Sequence, residues 1–240
     1  MSRAAAGGRL APRTAIGHSR RMPGALPRHR DVLDVALPMI LANVTVPLVG
    51  IADSAAVGRL DEPTSLAGVA VGATVFSVLF TALNFLRMGT TGLAAQAHGA
   101  GAGGDLAVLR QGLVVALGLA VALVLLSTPL RALAFALIDP EPAVLAEASA
   151  YFSVRLAGAP ATLALFVLTG WFIGRGDGRS PLAVVLLVNL LNVALDFAFV
   201  LGLGLAARGV ALATVLSEYS GVALGLALAL RARRAADRRA

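Results

Sequence analysis

Cysteine and lysine are both missing from this 240-residue chain, and charge of either sign is scarce. Without cysteine there are no disulfides, thiolate metal sites or thiol nucleophiles, so any chemistry falls to carboxylates, amides, hydroxyls and arginines. Charged residues make up 14% and hydrophobic residues 58%, and a water-soluble fold of this size would leave much of that apolar surface in water. The 20 basic side chains are all arginine and lie at the two ends or at the edges of apolar runs. The net charge of +7 therefore describes flanks and loops and implies no nucleic-acid partner. His18, His29 and His98 are scattered over tails and loops. No histidine and aspartate share a turn within an apolar run, and no paired Asp-rich motifs occur, so the clusters that a membrane-embedded enzyme needs are lacking.

What the chain does contain is a series of apolar stretches rich in Ala, Leu, Val and Gly. About 20 helical residues rising about 1.5 Å each cross about 30 Å of hydrocarbon. Six stretches qualify: Val35 to Gly58, Leu66 to Leu86 with a helical extension toward Ala97, Gln111 to Leu130, Ser149 to Ile173, Pro181 to Gly204, and Val210 to Leu230. The expected fold is an all-α integral membrane protein in which six transmembrane helices form one bundle over 34–230. A basic amino-terminal tail, 1–33, and a basic carboxy-terminal tail, 231–240, flank it. The recurring small residues let neighbouring backbones approach closely where lipid gives no hydrophobic drive.

Arginine placement orients the bundle. Arg3, Arg9, Arg13, Arg20, Arg21, Arg28 and Arg30 precede the first span, and Arg231, Arg233, Arg234, Arg238 and Arg239 follow the last. Both termini are therefore expected in the cytoplasm, as an even number of spans requires. The loop carrying Arg175 and Arg179 belongs to the same side, and the acidic loops at Asp61 to Pro63 and Asp139 to Glu147 face outward. The acid-free first thirty residues lack the short apolar core and small-residue cleavage site of a targeting peptide. They read as a disordered tail, with Met22 an alternative start to Met1.

Acids and amides inside the apolar runs carry the functional information, because a carboxylate at mid-bilayer costs about 2.5 to 3.5 kcal/mol. Asp53 lies near the end of the first span, where a wetted helix end is the plain alternative. Asp196 lies inside the fifth span with Asn189 and Asn192, and spacings of three and four put all three on one helical face. That face is expected to line the interior or a watery cavity, or to glue two helices together. Glu218, beside Tyr219 and one turn after Thr214, is either functional or a charge-neutralising partner of Arg155 or of an arginine elsewhere. Pro38 and Pro47 in the first span each remove a backbone hydrogen bond and invite a bend.

Several of these residues fall in runs that resemble the multidrug and toxic compound extrusion (MATE) transporters. The runs are Ala36-Leu37-Pro38 followed by Asn43 and Asp53-Ser54-Ala55-Ala56-Val57-Gly58, and Leu86-Arg87-Met88-Gly89-Thr90-Thr91-Gly92-Leu93-Ala94-Ala95-Gln96-Ala97. Asn192-Val193-Ala194-Leu195-Asp196 and Gly209-Val210-Ala211-Leu212-Ala213-Thr214, running into Glu218-Tyr219, complete the set. The pattern is most similar to the branch named after the DNA-damage-inducible protein F and covers about Asp34 to Leu230.

The resemblance implies one six-helix lobe of a two-lobe antiporter in the bacterial cell membrane, exporting cationic or amphipathic compounds against protons or sodium, with no other cofactor. It assigns ion coupling to Asp53, Asn192, Asp196 and Thr214, the same oxygens being suited to sodium, and helix bending to Pro38. The chain departs from the family pattern in carrying six helices where the family has twelve. Its expected partner is therefore a second six-helix lobe, either its own copy or a separately encoded one. The competing expectation is a truncated fragment that inserts without transporting.

Overall fold

The computed structural model describes residues 63–101 and 104–237, together with eight isolated positions between 37 and 59, six of them helical. Most of the expected first span, including Pro38, Asn43, Pro47 and Asp53, lies outside the described residues, as do the amino-terminal tail, Asp61, Arg238 and Arg239. The rest is helical: α1 Pro63–Leu83, α2 Phe85–Gly99, α3 Asp105–Leu125, α4 Ser127–Ile138, α5 Pro142–Leu156, α6 Ala159–Gly174, α7 Arg179–Asp196 and α8 Ala206–Asp237. A π-helical segment, Phe197–Gly202, follows α7 directly.

These helices combine into membrane spans. α1 and α2 run on as one apolar stretch, Pro63–Gly99, while α3, α7 with its π segment, and α8 as far as Ala235 are each long and apolar enough to cross a bilayer. α5 and α6 make one further span, bent by 53°. The chain thus folds as an all-α membrane protein, with five spans among the described residues when the bent pair counts once.

Local chemistry explains where the elements depart from the expected boundaries. The fourth span starts at Pro142 rather than near Ser149, because Pro142 at the helix start presets φ and needs no hydrogen-bond acceptor. Glu147, expected in a loop, therefore lies on α5. The third span breaks at Leu126 before α4, where Pro129 cannot donate to the carbonyl four residues back. Asp139, left-handed at φ 47°, then closes α4 just ahead of Pro140. At the start of α7 the Asp177 carboxylate accepts the N–H groups of Arg179 and Ser180, both at 3.0 Å. α8 runs past Leu230 to Asp237, so the first part of the expected basic tail continues the helix.

α1 lies on α5, α2 and α3 lie on α6, and α8 packs against α5, α6 and α7. One apolar cluster gathers Phe76, Tyr151, Phe152, Val200 and Val210, and a second gathers Leu86, Leu163, Val167, Trp171 and Phe172. Glycine makes the closest helix contact possible. A Cβ on Gly170 would come within 2.6 Å of the Arg87 carbonyl oxygen, and one on Gly174 within 2.5 Å of that of Thr91. We expect Gly170→Ala and Gly174→Ala each to cost about 1–3 kcal/mol by forcing α2 from α6. Gly118→Ala, with nothing within 4 Å of its Cβ position, is expected to hold or raise stability. Thermal unfolding in mild detergent checks the contrast.

Candidate functional site

Asp196 closes α7 and is fully buried, and Asn192 one turn earlier is 3% exposed. Asn189, a further turn back, is half-buried. Across the interface Asn192 Nδ2 donates to Thr214 Oγ1 of α8 at 3.3 Å, while Thr214 Oγ1 donates to the Val210 carbonyl at 3.0 Å. Ser217 Oγ, also buried, donates to the Thr214 carbonyl at 2.9 Å. The i→i+4 ladder gives way to π geometry immediately after Asp196, a local rearrangement that recurs at functional sites. Gly204 at φ 65° and Ala206 at φ 44° then turn the chain into α8. The arrangement gathers an acid, an amide and hydroxyls, hard oxygen donors able to hold a proton or a small cation.

A second polar assembly sits where the fourth span bends. Arg155 on α5 grips Glu218 on α8 with both arms of its guanidinium: Nη1 donates to Oε2 at 3.0 Å and Nη2 to Oε1 at 2.8 Å. Thr162 of α6 completes it, accepting from Arg155 Nη2 at 3.2 Å and donating to Glu218 Oε2 at 2.7 Å. All three residues are buried, and the Arg155 guanidinium also lies 5.6 Å from the ring centre of Phe76 and 5.1 Å from that of Phe80. Paired charges with this many hydrogen bonds are the form in which ions persist in an apolar interior.

A third group ties the helix ends beside Gly99 and Gly174. Arg175 Nη1 donates to Asp105 Oδ2 at 2.6 Å, Trp171 Nε1 donates to the Asp105 carbonyl at 2.8 Å, and His98 Nδ1 lies 3.6 Å from Asp105 Oδ2. Arg175 also covers the Trp171 ring at 4.3 Å.

The structure thus brings Asn192, Asp196 and Thr214 to one interface and joins Arg155 to Glu218, while Asp53 falls outside the described residues. Sequence reasoning passed over Thr162 and Asp105. Thr162 was signalled only as a lone hydroxyl two turns after Arg155, and Asp105 only by its place at a helix start.

A bundle of long apolar helices with a buried acid, amide and hydroxyls among its spans defines the chain as a multi-pass membrane protein. The MatE family profile matches residues 38–198, and the chain belongs to the MATE family, whose members are transporters. DNA damage-inducible protein F of Escherichia coli is 47% identical over 193 residues, covering 80% of this chain and 42% of that protein. The probable multidrug resistance protein NorM of Thermotoga maritima is 32% identical over 203 residues, covering 81% and 43%. Among solved structures, a MOP superfamily transporter from Pyrococcus furiosus superposes with a TM-score of 0.75 at 27% identity, covering 82% of this chain and 43% of that one. The chain spans less than half the length of these relatives.

Because the Asn192–Thr214 bond ties α7 to α8, Asn192→Ala and Thr214→Val should be non-additive. We expect a coupling of about 0.5–1.5 kcal/mol in a double-mutant cycle followed by unfolding in detergent.

Proposed function

We propose that this chain forms one lobe of an ion-coupled efflux antiporter in the bacterial cell membrane, with both termini cytoplasmic, exporting small cationic or amphipathic compounds. The observation that carries the reading is the fully buried Asp196, one turn from an Asn192 that is hydrogen-bonded to Thr214 of the neighbouring span. A carboxylate with amide and hydroxyl oxygens close by offers the hard oxygen ligands that a proton or sodium ion takes, and Asp53 is assigned to the same task by the family pattern. Taking up the ion changes the hydrogen bonds that Asp196 and its neighbours make, and the span carrying Pro38 responds by bending or straightening. With about 100 mV and about one pH unit of gradient, one proton delivers roughly 3.7 kcal/mol, a gradient of a few hundredfold for an uncharged compound and about tenfold for a monovalent cation, which leaves against the same potential. Sodium is the alternative coupling ion, bound by the same oxygens.

Asp196→Asn is expected to abolish ion-coupled export in reconstituted vesicles while membrane insertion is retained. Imposing proton and sodium gradients separately identifies the coupling ion, and unchanged transport with unchanged ion dependence counts against the assignment.

The relatives' length supports a second element of the proposal, that export requires another six-helix lobe beside this one. A substrate path at the interface of two repeats needs both walls. Two copies inserted with the same orientation can be related by a two-fold axis along the membrane normal, closing an isologous dimer. Cross-linking and native mass measurement in mild detergent are expected to show a paired species. A strictly monomeric chain that still drives export removes this element, and a chain that inserts and pairs without transporting favours the non-transporting alternative.

A further inference from the structure

The break in the fourth span is covered by one face of α8, and three separate contacts hold it there. The Glu218 carboxylate binds the Arg155 fork and the Thr162 hydroxyl. Tyr219 Oη donates to the Ala157 carbonyl at 3.0 Å. Val215 Cγ2 lies 3.0 Å from where a Cβ on Gly158 would stand. The break itself is written into the sequence: Pro160 has no N–H for the ladder, and Gly158 leaves the room that Val215 and the guanidinium occupy. Thr214 and Glu218 are separated by four residues on α8, one turn, so they share a face. A carboxylate gripped by a planar two-armed donor is fixed in both direction and distance, which a single hydrogen bond does not achieve. Holding Glu218 therefore holds the rotation and height of Thr214, whose contact with Asn192 at 3.3 Å is a hydrogen-bonded tie between α8 and the helix bearing Asp196.

We propose that Glu218 is a positioning residue: clamped by Arg155 and Thr162 at the bend of the fourth span, it sets the rotation of α8 and so places Thr214 against Asn192. The geometric claim stands on its own. Its consequence for ion coupling rests on the function proposed above.

The absence of native cysteine makes the test direct, because two introduced thiols are the only ones present. In the full chain in detergent, Asn192→Cys with Thr214→Cys reports the α7–α8 contact through its rate of bridging by a short methanethiosulfonate cross-linker. Gly112→Cys with Val167→Cys reports an unrelated contact between α3 and α6. Glu218→Gln is expected to slow the first bridge by about tenfold, the loss of a charge-assisted hydrogen bond, and to leave the second unchanged. Thr162→Val removes one hydrogen bond to Glu218 without stranding a charge, so it serves if Glu218→Gln fails to fold, and should slow the first bridge by about threefold. A first bridge forming at the parent rate in both variants, or both bridges slowing alike, overturns the proposal. Transport by the same variants separates the two ideas. A selective loss of bridging in a chain whose parent shows no ion-coupled export keeps the positioning role and removes the coupling role.

Discussion

An arginine and a glutamate enclosed by an apolar bundle survive only as a pair, and much of this protein is arranged around that restriction. Taking one ion out of water costs several kcal/mol, and removing either partner leaves the other stranded. Arg155 and Glu218 come from different spans, so satisfying them constrains the relation of α5 to α8. Phe76 and Phe80 of α1 lie against the same guanidinium, and Thr162 of α6 fills the remaining hydrogen-bonding capacity, so four helices converge on one charge pair. The bend of the fourth span is part of this solution, because a straight helix through Ala157 and Gly158 would carry Arg155 and Thr162 on one continuous cylinder.

Close backbone approach does the rest of the work. Lipid offers no hydrophobic drive for helices to associate, so cohesion comes from dispersion over large contact areas and from scattered polar ties. Gly170 and Gly174 bring α6 against the backbone of α2, and the Asp105–Arg175 pair with the Trp171 indole secures the same helices at their ends. Polar ties therefore sit at mid-span, at the α7–α8 interface and at the helix ends, with apolar clusters between them.

Much of this was legible in the sequence, for identifiable reasons. Long apolar runs show the spans because the bilayer demands about 20 residues at a stretch, and polar residues at spacings of three and four betrayed the α7 face because Asn192 and Asp196 have no solvent to explain them. Glu218 called for an arginine by charge alone, with Arg155 one candidate among several. Thr162, Asp105 and the bend were not legible, since a hydroxyl, a helix-start acid and an Ala-Gly-Ala-Pro run are each common in such chains. Their meaning depends on which helix lies opposite, and helix pairing is set by three-dimensional packing that a hydropathy pattern does not record. The π segment after Asp196 was equally hidden, because Phe197 to Gly202 simply continues the apolar run of the fifth span.

α8 is one unbroken helix of 32 residues. Thr214, Glu218 and Tyr219 occupy its first half, and the exposed Arg231, Arg233 and Arg234 occupy its far end. The Glu218 clamp lies between those two groups, so any turning of the arginine end meets the grip of Arg155 before it reaches the hydroxyl facing Asn192. α8 is in that sense a shaft held in a bearing part-way along its length.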